Sequence, residues 1–382
     1  MNTKETINLY KNAIKSSSIK RRSVINRNTT KFIMNFVNNP FFEIKGDSND
    51  VFNVEFFNSN GDLVYRTELK SNMWSKLNKQ YFEKWTVKVT YGNNLKVLTY
   101  NAENKNVYIA LDSKSLGDNI AWMPYLEEFR KKHNCNLTVS TFWNKLFENK
   151  YDKIKFVQPG VPVNNLYAMY KIGWFYNPDM EPETPNTIPL QKAASNILGL
   201  DFKEIKPEID FTPSERPYNE KYITISPHST AGLKYWNNKT GWQEVVDYLK
   251  SKGYKVINIS LDKFDLNGIE DIQDKSIENT MNVIHHSEFM IGLSSGLSWL
   301  SWAIGKHVVM ISNFTEENHE FTSNCTRIIN KSVCNSCWNN PNFKFDKGDW
   351  SWCPVHKGTQ RQFECHKSIT GEMVINKIKE LI

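Results

Sequence analysis

The chain has 382 residues, 40% hydrophobic and 23% charged, with a formal net charge of +7 at pH 7. That length and balance fit a soluble globular protein with two or more cores and exclude fibrous, disordered and membrane-embedded classes. Residues 1–10 lack the apolar stretch of a secretory signal, and the longest uncharged run, 289–305, is too short and too rich in Ser and Gly to span a bilayer. A cytoplasmic location with reduced thiols is expected.

The excess charge gathers at the start. Residues 6–42 hold no Asp or Glu and carry Lys11, Lys15, Lys20, Arg21, Arg22, Arg27 and Lys31, seven cations that equal the whole net charge. Such an arm, taken as residues 1–45, suits an anionic partner. It supports a rival reading of the chain as a nonenzymatic nucleic-acid-binding protein. No aromatic residue interleaves with the cations between Lys11 and Lys31, as a base-stacking platform requires, so a solvated terminus is the simpler reading.

From Val51 to Tyr100 apolar residues alternate. Phe52, Val54 and Phe56 share a face, Asn60-Gly61-Asp62 marks a turn, and Leu63 to Leu69 returns; Val87, Val89 and Tyr91 repeat the pattern before a turn at Gly92-Asn93-Asn94. This spacing predicts a small antiparallel β domain over residues 46–105. After Val107, short buried strands alternate with amphipathic helices, the mark of βα units on a parallel sheet. The first unit is a strand from Val107 to Asp112, the loop Ser113 to Asp118, and a helix with Ile120, Met123, Leu126 and Phe129 on one side. Seven prolines from Pro178 to Pro217 mark a crossing, with one short helix near Leu190 to Leu200. A second series follows, with strands at Tyr222 to Ser226, Tyr254 to Ser260, Glu288 to Leu293 and Lys306 to Ser312. One of its helices carries Trp242, Val245, Val246 and Leu249, and another runs from Gly296 to Gly305. The sum is an α/β chain of two Rossmann-like domains, 106–215 and 216–382, facing each other over a cleft.

Three segments carry chemistry. Asp118, behind Gly117 at a strand-to-helix junction, suits a general base, or else a helix N-cap; Asp112 is a weaker candidate. The loop Pro227 to Trp236 offers hydroxyls, among them Thr230, and the cation Lys234 beyond the carboxyl end of a strand, where open α/β sheets bind ligands. The run Ile291-Gly292-Leu293-Ser294-Ser295-Gly296-Leu297-Ser298-Trp299 ends a strand in small residues and opens a helix, which aims amides at an anion or simply makes a tight turn. The chain contains no GxGxxG fingerprint and no P-loop, which argues against a dinucleotide enzyme or an NTPase. Asp262 and Asp265 are candidates for a ribose contact.

Near the end, Cys334-x2-Cys337-x15-Cys353-x11-Cys365 lies in a finger, residues 325–367, crowded with Trp338, Trp350 and Trp352. Four thiolates close a tetrahedron around one ion at about 2.3 Å per bond and leave no coordination position open, so the ion is structural. Iron and zinc both suit such a set. His356, in Cys353-Pro-Val-His356, is a rival for Cys365, and free or paired thiols are the plain alternative.

Ser115-Leu116-Gly117-Asp118, the run from Ile291 to Trp299, and the cysteine finger together resemble the autotransporter heptosyltransferases of the heptosyltransferase group, from about Val51 onward. The resemblance implies a GT-B fold and inverting transfer of heptose from an ADP-heptose donor to serine hydroxyls of an autotransporter adhesin in the cytoplasm. It implies Asp118 as general base, Lys234 on the donor phosphates, and Ser294, Ser295, Gly296 and Leu297 as the donor-binding turn. It further implies iron in the finger and a homo-oligomer, a ring of twelve subunits. No metal is needed for the displacement itself, and the finger is expected to shape the surface or subunit contacts. Where the lipopolysaccharide branch of the group has Asp-Thr-Gly-Leu-Ser-His, this chain has Ser294 for the aspartate and Trp299 for the histidine. That departure weakens a lipid-linked acceptor and leaves another nucleotide sugar as an alternative donor. Trp299 either stacks on a ring or packs in the core.

Overall fold

The computed structural model describes residues 30–343 and 351–382. Lys11 to Arg27 of the basic arm and Trp350 of the finger lie outside them. Residues 31–45, expected within the arm, instead form two paired strands, β1 (Lys31–Asn35) and β2 (Phe41–Lys45). Phe42 and Ile44 are fully buried. The charge bias of the preceding residues masked the alternation that buries Phe42 and Ile44.

The strands β3 (Phe52–Phe57), β4 (Leu63–Leu69), β5 (Trp74–Lys76), β6 (Thr86–Tyr91) and β7 (Asn94–Thr99) complete two antiparallel sheets, ordered β1-β2-β5 and β4-β3-β6-β7. Phe52, Val54, Phe56, Val87 and Val89 all turn inward, as alternation demands. A parallel sheet follows from β8 (Asn106–Leu111), β9 (Asn136–Ser140), β10 (Lys155–Val157) and β11 (Ala168–Ile172), in the order β10-β9-β8-β11. Helix α1 (Leu116–His133) makes the crossover from β8 to β9.

Ser115 caps α1 by accepting from the Asp118 N–H at 3.5 Å, so the N-cap role weighed for Asp118 belongs to Ser115. Beyond the expected stripe of Ile120, Met123, Leu126 and Phe129, Trp122 and Tyr125 are also fully buried. The reason is α2 (Leu190–Ile197), which covers the second side of α1; the Trp122 indole donates to the Leu190 carbonyl at 3.0 Å.

The last sheet is wholly parallel. It joins β12 (Tyr222–Ser226), β13 (Lys255–Asn258), β14 (Ile269–Asp271), β15 (Met290–Gly292), β16 (Val308–Ile311) and β17 (Cys325–Ile328) in the order β14-β13-β12-β15-β16-β17. That order grows outward in both directions from β12 and β15, so their carboxyl ends flank a topological switch point, where the loops diverge and leave a crevice. Helices α3 (Gly241–Ser251), α4 (Ile277–His286), α5 (Gly296–Ala303), α6 (Glu364–Lys367) and α7 (Gly371–Ile378) complete this region. One apolar cluster runs from the antiparallel sheets through α1 to Trp299, Leu300 and Trp302 of α5, so the parts share a continuous core.

Candidate active site between two helix N-termini

The amino ends of α1 and α5 touch. A Cβ on Gly117 would lie 3.0 Å from Trp299 Cδ1 and 3.4 Å from Gly296 Cα, and one on Gly296 would lie 3.1 Å from Leu116 Cβ. Only residues without a side chain allow the two backbones this close. Trp299 is buried against Phe321, with centroids 5.0 Å apart, and so packs in the core rather than offering a stacking face.

Asp118 sits on the α1 side of this contact. Its Oδ2 accepts from Ser113 Oγ at 2.6 Å and from the Trp174 indole at 2.9 Å. Desolvation raises the Asp118 carboxyl above its usual range, and hydrogen bonds from Ser113, Trp174 and Ser115 and the charge of Lys234 counter part of that rise. Lys234, in the turn after β12, is held below the ordinary lysine value by desolvation, opposed by the charges of Glu320 and Asp118. It makes no direct ion pair among the described residues, and its Nζ lies 5.9 Å from the Phe314 ring centre. The two predicted groups from separate sheets therefore sense each other's charge in one shielded place.

Behind Lys234 stands a network that sequence reasoning missed. Glu320, 5% exposed, accepts from Thr315 Oγ1 at 3.0 Å and from Arg327 at 2.6 Å, and Arg327 also bonds Thr315 Oγ1 at 2.7 Å. Burial alone would lift the Glu320 carboxyl, but Arg327, His319 and the hydrogen bonds overcome it and hold it at about 2. Ser294 donates its hydroxyl to Glu320 and is itself buried, so of the expected donor turn its side chain is engaged inside the protein. Ser295, the N-cap of α5, keeps a shielded Oγ with no partner among the described residues. Gly296 and Leu297 open that helix, and their amides face the same end.

The remaining candidates sit further out. Thr230 and Asp112 are exposed. Asp262 and Asp265 are exposed in the loop after β13, which meets the loop after β12 where Phe264 packs on His228 at 5.0 Å. Trp174 carried no signal in the sequence. It lies in coil just after β11, and only the parallel register of β8 and β11 brings it beside Asp118.

The cysteine finger packs one side against the interior, with Cys337, Trp338, Cys353 and Cys365 buried, while residues 357–361 stay exposed. Leu233, next to Lys234, clusters with Phe314, Cys337 and Trp338, and Gly232 faces Ser351 with its added Cβ 3.6 Å from the Ser351 Cα. The Asn339 side chain donates to the Asn186 carbonyl at 2.7 Å, and the Asn186 side chain donates to the Trp338 carbonyl at 2.9 Å, which ties the finger to the crossing between the parallel sheets. The finger is built on the loop after β16: the Ser336 N–H donates to Asn313 O at 2.6 Å, and Asn313 Nδ2 to Cys365 O at 2.9 Å.

No disulfide joins any of the six cysteines. Desolvation, reinforced by Cys353 and Cys334, pushes the Cys365 thiol up to about 12, and Cys337 is raised by burial and by the other three. These charges sense one another, so the thiols of Cys334, Cys337, Cys353 and Cys365 share one neighbourhood. Among the described residues the ligand atoms of Cys334, His356 and Glu364 are the one set of three that lies within 4.8 Å of one another. Among the described residues no helix is long and apolar enough to cross a membrane.

Comparison with known proteins identifies relatives across most of the chain. The family model for glycosyltransferase family 9 (heptosyltransferase) matches residues 179–349. Aah, an autotransporter heptosyltransferase of Escherichia coli, is 37% identical over 84% of this chain and 86% of its own length. The crystal structure of TibC, a bacterial iron-containing dodecameric glycosyltransferase from enterotoxigenic E. coli H10407, matches with a TM-score of 0.84 at 30% identity, over 95% of this chain and 98% of that one. TibC in complex with ADP-D-beta-D-heptose matches with a TM-score of 0.83 over the same shares. The α/β architecture with parallel sheets is thus GT-B-like.

Proposed function

Since the chain belongs to the autotransporter heptosyltransferases, we propose that it transfers heptose from ADP-heptose to serine hydroxyls of an autotransporter adhesin, by a single inverting displacement in the cytoplasm. The observation that carries this reading is the pairing of Asp118 from one sheet with Lys234 from the other at the contact of two helix N-termini. TibC, solved with ADP-heptose, lends the donor.

In the proposed step the acceptor serine Oγ attacks the anomeric carbon while Asp118 Oδ1 takes its proton. The bond from that carbon to the β-phosphate oxygen breaks, and ADP leaves with the electron pair. Lys234 and the free amides at Gly296 and Leu297 meet the growing phosphate charge. Because these donors are fixed before reaction, their contribution is electrostatic preorganisation. Ser113 and Trp174 hold Oδ2 and turn Oδ1 toward the hydroxyl. Loss of Lys234 costs about 10²-fold in rate on this mechanism.

The finger residues Cys334, Cys337, Cys353 and Cys365 would hold the iron for which TibC is the precedent, with Cys334, His356 and Glu364 as the competing set. When bound, the ion supplies a cross-link between the two halves of the finger. Elemental analysis separates the two sets: Cys365→Ser abolishes metal binding on the first, and His356→Ala on the second. The proposed assembly is a homo-oligomer like dodecameric TibC. The functional test is the intact mass of an adhesin passenger co-expressed with this chain. A heptose increment on serine, lost with Asp118→Asn, supports the reading, and an increment of another sugar points to a different nucleotide donor.

A further inference from the structure

Trp338 follows Cys337 in the finger and is 4% exposed. Its backbone is fastened from two directions, donating to Phe314 O at 3.1 Å and accepting from the Asn186 side chain at 2.9 Å. Its ring meets Trp174 edge to face, with centroids 5.5 Å apart and planes at 79°. Trp174 in turn donates its indole N–H to Asp118 Oδ2 at 2.9 Å. Trp174 lies in coil, so neighbouring rings rather than a ladder of backbone bonds determine where its N–H points. Trp122 lies on it at 6.0 Å, and Trp338 supplies the directional edge contact.

Resting on the reading of Asp118 as the base, we propose that Trp338 is a positioning residue: it holds Trp174 in the one orientation that fixes Asp118 Oδ2, and so makes the finger a support of the cleft. A carboxylate gripped at one oxygen by two donors presents the other oxygen in a defined direction. A slack indole would leave it free to turn, and catalysis falls steeply with such misalignment. The support acts through the finger's protein scaffold, with no chemistry asked of the ion.

The test compares full-length wild type with Trp338→Ala, Trp338→Phe, Trp174→Phe and the double variant Trp338→Ala/Trp174→Phe, with metal content measured for each. Hydrogen–deuterium exchange is followed in the segment 173–181, and kcat and KM for ADP-heptose are measured with a passenger acceptor. Trp338→Ala is expected to raise exchange in that segment and to lower kcat about tenfold, the scale of one charge-assisted hydrogen bond, with KM changed less than about twofold. Trp338→Phe, which keeps an aromatic edge, is expected to recover most of both. The double variant is expected to be no slower than Trp174→Phe alone. Wild-type kcat and exchange in Trp338→Ala, or losses that add in the double variant, would overturn the proposal. Where Trp338→Ala sheds metal, the Phe variant decides: at full metal content, an Ala-like loss of kcat contradicts it. Full activity in Asp118→Asn would instead sink the enzyme mechanism, and leave the exchange link between finger and segment standing.

Discussion

The two helix ends that meet at the cleft differ in how each treats its positive charge. The first turn of α1 contains its own acid, Asp118, and its N-cap Ser115 bonds inward. The first turn of α5 contains no acid, and its N-cap Ser295 has a shielded hydroxyl without a partner among the described residues. Both ends follow a buried parallel strand, and both begin with a glycine close to the start. One end is neutralised by the chain, and on the proposed function the other is neutralised by the donor's phosphates. A helix terminus becomes an anion site only when the protein declines to fill it.

That contrast can be broken from either side. Asp118→Asn keeps a hydrogen-bond acceptor for Ser113 and Trp174 but no longer takes a proton, and is expected to lower kcat by about 10²- to 10⁴-fold with the fold intact, as read by passenger glycosylation and circular dichroism. Removing the support behind the donor side acts on stability: Glu320→Ala strands the Arg327 guanidinium in the interior and is expected to cost about 3–5 kcal/mol, measured by urea unfolding. Ser295→Asp gives α5 an acid like that of α1. Asp is a good N-cap, so the protein should melt no lower, yet its KM for ADP-heptose should rise about tenfold to a hundredfold because like charges meet.

The smallest expected effect concerns Glu181, which is 4% exposed and accepts from the Phe175 and Tyr176 amides at 3.2 and 2.9 Å. Burial raises its carboxyl to about 7, against the opposing pull of those amides. A carboxyl raised in the fold binds more protons folded than unfolded, so its favourable contribution is complete below the ordinary glutamate value of 4.5 and is lost as pH climbs through about 7. Glu181→Gln should therefore gain in melting temperature over wild type on going from around pH 5 to around pH 8. A constant difference across that range would show that the group does not titrate there.

Much of the candidate site was legible because its parts are local. Asp118 and the Ser294 to Leu297 turn each sit where a strand of apolar residues gives way to small ones, and Lys234 follows the first strand of its sheet, so period and position betray all three. The network behind them was not legible. Glu320 and Arg327 lie on segments with no motif, and only the placement of β17 beside β16 joins them. Trp174 depends likewise on the pairing of β8 with β11. The strands at 31–45 were hidden by the charge bias of the region before them, and the finger's packing on the crossing by their distance apart along the chain. Ser294 shows the converse: its place in the motif was visible, but a neighbour 26 residues away decides where its hydroxyl goes.

The most direct test is a structure of the Asp118→Asn variant, which stalls transfer, with ADP-heptose bound. The expected result is a diphosphate held by Lys234 and the amides of Gly296 and Leu297, with the anomeric carbon turned toward residue 118. A nucleotide bound away from the contact of α1 and α5, or a sugar facing away from residue 118, would contradict a shared site built by both sheets.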